Sequence, residues 1–174
     1  MSLGRLSRGA LALAILVGTA QPSLPQSAIH QRNTTATALI GGSPRLRDGS
    51  FQATGVSSVC GVIPKEASLT GEAVFVIEFP SDPPPAPPPG TINAIAFGSS
   101  QLVGGVTKAT VFRLMVGVRT ANGGRPPNYV LNTDSGRPKN VGTATLTTRN
   151  GETTLKVVGQ EDMGETIDLT VTCR

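Results

Sequence analysis

From Phe51 onward the chain alternates apolar and polar positions with a period of two. In Leu69–Phe79, Leu69, Gly71, Ala73, Phe75, Ile77 and Phe79 fall on one face, while Thr70, Glu72, Val74, Val76 and Glu78 fall on the other. That is the signature of a strand with one buried and one mixed face. Ala109–Arg119 repeats it, with Phe112, Leu114, Val116 and Val118 opposite Val111, Arg113, Met115 and Gly117. The C-terminal stretch sets Ile167, Leu169, Val171 and Cys173 against Thr166, Asp168, Thr170 and Thr172. A helix would scatter those four apolar side chains around its circumference, so a strand is expected.

Asn150-Gly151 predicts a two-residue type I′ hairpin turn, because both central residues need positive φ. Pairing Arg149 with Glu152 places Thr147 opposite Thr154, Thr145 opposite Lys156, Leu146 opposite Leu155 and Ala144 opposite Val157. Polar meets polar and apolar meets apolar, a match that a one-residue slip would destroy. Weaker strands are expected at Phe51–Val59, Thr91–Phe97 and Asn128–Leu131, for a total of seven or eight. No helical periodicity follows residue 50, which points to an all-β antiparallel sandwich or a small barrel. The absence of Trp argues against an immunoglobulin core.

A chain of 174 residues has room for one domain plus tails. Residues 1–20 have the layout of a secretory signal: Arg5 and Arg8, then the apolar run Ala10–Val17, then Gly18-Thr19-Ala20. The run is too short to span a bilayer, which takes about 20 apolar residues. Removing this segment leaves 13 basic against 11 acidic groups, a net of +2 instead of +4. With no run of clustered Lys or Arg, nucleic acid is not an expected partner. Residues 21–49, Gly/Pro-interrupted and rich in small polar residues, are expected to be a flexible leader, followed by the β domain from residue 50 to 174. Asn33-Thr34-Thr35 is a glycosylation sequon by pattern.

Cys60 and Cys173 are the only cysteines. In an exported chain two cysteines read as one disulfide, here tying the first core strand to the last and favouring the sandwich over the barrel. A redox or nucleophilic thiol has no C-x-x-C motif to support it, and His30 is the only histidine available as a base.

Catalytic chemistry is thin. His30 falls in the expected leader, so a Ser-His-Asp constellation lacks an ordered base. Glu72 and Glu78 are a possible carboxylate pair only if they converge in one pocket. Glu161, Asp162, Glu165 and Asp168 surround a Gly-bounded turn, but their spacing matches no EF-hand and a solvated turn explains them. No cofactor or metal is expected. Seven of the eleven residues of Pro80–Gly90 are proline, which reads as a stiff connector in polyproline II geometry rather than as a docking ligand. The loop Thr120–Asn128, with Arg119, Arg125 and Tyr129 around it, is the best recognition candidate, since Arg and Tyr are favoured interface anchors.

The two cysteine segments, Ala53-Thr54-Gly55-Val56-Ser57-Ser58-Val59-Cys60 and Ile167-Asp168-Leu169-Thr170-Val171-Thr172-Cys173, resemble the LpqH-type small lipoprotein antigens of mycobacteria. That resemblance implies a disulfide-closed β domain at the cell surface that acts in recognition. The chain departs from the pattern in having no lipobox cysteine and in its proline tract. The expectation is therefore a monomeric, exported, non-enzymatic binding protein whose partner is a protein or an envelope component. A structural subunit that assembles through sheet edges or by donating its leader as a strand is the alternative, and a carboxylate hydrolase is the third.

Overall fold

The computed structural model describes residues 31–42, 48–79, 89–119, 128–137 and 139–174. The expected signal at 1–20, most of the proline tract, His30 and Arg125 lie outside them. Eleven strands make up the described chain, and no helix occurs among the described residues. They are β1 (Arg32–Gly41), β2 (Gly49–Ser57), β3 (Val59–Ile63), β4 (Val74–Phe79), β5 (Thr91–Ser99), β6 (Lys108–Ala109), β7 (Arg113–Arg119), β8 (Asn128–Asn132), β9 (Val141–Arg149), β10 (Glu152–Gln160) and β11 (Thr166–Cys173). The fold is all-β, but it corrects the expected seven or eight purely antiparallel strands. One run joins β6-β9-β10-β11-β1-β2 and the other joins β3-β4-β5-β7-β8, each antiparallel throughout. Among the described residues a single parallel bridge, Gln52 to Thr91, links them into one mixed sheet. It forms where β4 stops at Phe79, since Pro80 has no N–H for the ladder, leaving the start of β5 free for β2.

The β9–β10 hairpin forms as the sequence requires. Asn150 (φ 51°) and Gly151 (φ 80°) make the turn, and Arg149 pairs with Glu152, Leu146 with Leu155 and Ala144 with Val157. Ile167, Leu169, Val171 and Cys173 of β11 are all buried, as their alternation predicts.

The segment expected to be a flexible leader contains β1, which lies between β2 and β11. Its alternating Thr34, Ala36, Ala38 and Ile40 are buried to 2% exposure or less, so small side chains here serve the core. Asn33 of the sequon is exposed on this strand. Two other expected strands are shorter than their alternation suggested. Leu69 is fully exposed in the turns before β4. Between β6 and β7 the Gln101 side-chain oxygen accepts the Thr110 and Val111 amides, at 2.9 and 3.0 Å, in place of a ladder partner.

Cys60 on β3 and Cys173 on β11 form a disulfide, with Cα atoms 6.6 Å apart. It joins the two runs across the core, and both cysteines are buried. The loop it closes spans 113 residues, for which chain entropy assigns up to about 5 kcal/mol.

Candidate functional site

β8 begins the site. In Asn128–Asn132, Tyr129 and Leu131 face the core and are completely buried, while Val130 is 54% exposed on the other side. This places Tyr129 inside the protein and corrects its expected role as a surface anchor. Its hydroxyl donates to the Glu165 carbonyl at 3.3 Å. Burial first, then the charges of Glu161 and Glu165, push its pKa well above the usual tyrosine value. Arg119 ends β7, where its carbonyl accepts the Gly90 amide at 2.8 Å. Of the expected trio, Arg119 therefore closes a strand and Tyr129 is core, while Arg125 and the loop around it lie outside the described residues.

Instead, β8 borders a groove whose walls are two turns. Asn132 ends the strand by accepting the Asp134 amide on its own side-chain oxygen at 3.1 Å, an Asx turn. Asn140 then ties the region together. Its Nδ2 donates to the Asn132 carbonyl and to Ser135 Oγ, both at 3.2 Å, and its Oδ1 accepts the Asp162 amide at 2.7 Å. The 161–165 turn is closed internally, Glu161 N–H to Glu165 carbonyl at 2.8 Å and Gly164 N–H to Glu161 carbonyl at 2.9 Å. Asn140 on one side and Tyr129 on the other thus hold this turn at a fixed distance from β8. The groove between them has a volume of about 340 Å³. Asn128, Val130, Arg137, Glu161 and Met163 line it, with Met163 64% exposed. No sequence signal marked Asn140, because asparagine in a loop reads as ordinary turn chemistry.

Among the described residues β8 is also an edge strand, pairing with β7 alone. The Thr133 amide donates to the Phe112 carbonyl of the β7 side at 3.1 Å, which fixes the pleat. Odd-numbered residues of β8 turn their backbone groups toward β7 and even-numbered ones away from it. The Asn132 carbonyl does point away, into the 133–140 turn. The N–H and C=O groups of Asn128 and Val130 point the same way and have no partner among the described residues.

A second, larger depression of about 800 Å³ lies on the outer face of β1, β9, β10 and β11. Leu39, Val141 and Val158 are its exposed apolar side chains. Asp168 lines it as well and pairs with Lys156 at 3.5 Å. The carboxylates weighed for hydrolysis do not converge: Glu72 lies in the turn before β4, and Glu78 lies on β4 roughly 13 Å beyond Val74 at ~3.3 Å per residue. Among the described residues no three His, Cys, Asp or Glu side chains are grouped to hold a metal ion. No helix of the described residues is long and apolar enough to cross a membrane.

No family model matches the chain, and neither a curated protein nor a solved structure matches it.

Proposed function

We propose that this is an exported, non-enzymatic binding protein of the cell envelope or extracellular space, acting as a monomer whose partner docks in the groove beside β8. The braced groove carries the proposal. A depression that two side chains from the core and an adjacent turn hold open is preorganised, and preorganisation is what converts contact into affinity. The disulfide is compatible with an oxidising compartment, and the signal-like residues 1–20 support export. The likeness of the two cysteine segments to small mycobacterial lipoprotein antigens supports recognition over catalysis. A sandwich-like body, with the two antiparallel runs facing each other, is favoured by the disulfide between β3 and β11 and by the approach of Leu131 on β8 to Gly159 on β10.

A photo-reactive side chain at Val130, introduced into the exported protein and activated in the native envelope, tests the proposal. A discrete cross-linked species is expected, and it should be missing when the group is placed at Val62, which is exposed on β3 away from the groove. Equal labelling at both positions would remove the groove from consideration. Among the described residues β3 pairs with β4 alone, and that edge favours a second reading, a subunit that assembles edge to edge; concentration-dependent size exclusion would reveal it.

A further inference from the structure

Resting on that binding role, we propose that the groove takes an extended, cationic polypeptide segment as one added strand on the free edge of β8. The argument begins with the backbone. Val130 and Asn128 each present an N–H and a C=O to the groove, spaced two residues apart as the pleat requires. Native sheets usually blunt a free edge with charge, proline or a covering loop. Here the even-numbered side chains of β8 are uncharged Asn128, Val130 and Asn132. An extended segment satisfies those backbone groups of Asn128 and Val130, which is the basis of recognition by strand addition.

The walls decide what kind of strand can enter. The 161–165 turn stands opposite the edge and is fixed there by the Tyr129 and Asn140 hydrogen bonds. A second sheet approaching edge-on would bring its own neighbouring strands into that turn, whereas a single segment free on its far side passes between. The volume of about 340 Å³ is near the lower end of the ~300–1,000 Å³ typical of ligand sites. Its exposed Val130 and Met163 offer apolar contact to alternate side chains of the guest. Charge then selects the guest: Glu161 lines the wall, and the charges of Glu161 and Glu165 reach far enough in to act on Tyr129. Among the described residues one cation, Arg137, shares the lining. Lysine or arginine in the guest is therefore favoured over aspartate or glutamate.

The test uses the disulfide-closed protein and a blocked peptide, Lys-Val-Lys-Val-Lys-Val, followed by amide nuclear magnetic resonance and hydrogen exchange. Binding should slow exchange of the Val130 amide, and the Glu-Val-Glu-Val-Glu-Val counterpart should bind at least about tenfold more weakly. Val130→Pro removes the outward donor at an edge position where proline is tolerated, and it should weaken binding by about tenfold. Retained protection of the β9–β10 hairpin amides shows that this variant is folded. Glu161→Lys, which leaves the backbone edge intact, should abolish the preference for the basic peptide. Methylating alternate peptide nitrogens of the ligand should abolish binding to the unaltered protein.

Equal affinity for Val130→Pro together with an unprotected Val130 amide would overturn strand addition. Perturbation confined to Leu39, Val141 and Val158 would overturn it too, yet leave the binding role intact. If no residue responds and no cross-link forms from Val130 in the envelope, both proposals fall.

Discussion

The Tyr129 hydroxyl donates to the Glu165 carbonyl, so the core of one sheet run is fastened to a surface turn of the other. Tyr129→Phe keeps the ring and removes only the donor, leaving the buried Glu165 carbonyl with the Glu161 amide but without this partner. The expected cost is about 1 kcal/mol, read as a lower midpoint in urea. Because Asn140 still holds the turn, the variant should remain folded.

Tyr129 also predicts a pH response. Its folded pKa is raised above the ordinary value near 10, first by burial and then by Glu161 and Glu165. Above pH ~10 the unfolded chain releases this proton and the folded one retains it, so stability present below that pH declines as pH rises further. Thermal unfolding of the parent protein should therefore fall more steeply above pH ~10 than that of Tyr129→Phe. As the only tyrosine in a chain without tryptophan, it also reports its own ionisation, and tyrosinate absorbance should appear together with unfolding. Tyrosinate absorbance that develops while the β9–β10 amides remain protected would contradict a buried hydroxyl.

The disulfide makes a separate prediction. With Cys60 and Cys173 both buried, alkylation of the native protein under mild reductant should label neither. Replacing both with alanine should lower stability by up to about 5 kcal/mol, since the unfolded chain regains the freedom of a 113-residue loop. A double variant that unfolds at the parent's temperature would show that the sheet runs are fastened by packing alone.

The sequence was most legible where one local rule fixed the geometry. Asn150-Gly151 selected the turn, the turn selected the register, and every pair from Arg149–Glu152 to Ala144–Val157 follows from it. The cysteine pair was readable from redox chemistry and count. What escaped were features set by distant partners. β1 looks like a polar tether because its inward residues include Thr34, Ala36 and Ala38, which carry little hydrophobic signal; only the flanking β2 and β11 make them core. Tyr129 has the chemistry of an interface anchor, but it is core, and its hydroxyl finds its partner in the Glu165 carbonyl, 36 residues away. The groove was invisible for the same reason, since Asn140 joins Asn132 to Asp162 across two turns.

β1 therefore supplies a direct contrast with a flexible tether. Limited proteolysis should leave Arg32–Gly41 attached to the body, because a protease needs an extended, unpaired backbone and this one is paired on both sides. Ile40→Ala should cost about 2–5 kcal/mol, the usual range for emptying a fully buried site. Cleavage within residues 34–40 that leaves the rest folded would show that β1 is dispensable.

Gly159 on β10 faces Gly142 on β9, and the pair leaves room for the side chains of Leu131 on β8 and Phe112 just before β7. A Cβ on Gly159 would meet Leu131 Cδ2 and would stand 2.9 Å from the Val141 carbonyl; one on Gly142 would lie 2.9 Å from Phe112 Cζ. Gly159→Ala should therefore cost about 1–3 kcal/mol as overpacking, despite alanine's lower backbone entropy cost. Leu131→Ala alone should cost about 2–5 kcal/mol through the cavity it opens. Combined, the two changes should cost less than their sum, since the new methyl enters the space that Leu131 vacates. Relief stays partial because the Val141 carbonyl does not move away, so a coupling of about 0.5–3 kcal/mol is expected in a denaturant double-mutant cycle. Strict additivity would mean that β8 and β10 do not press on each other across the core.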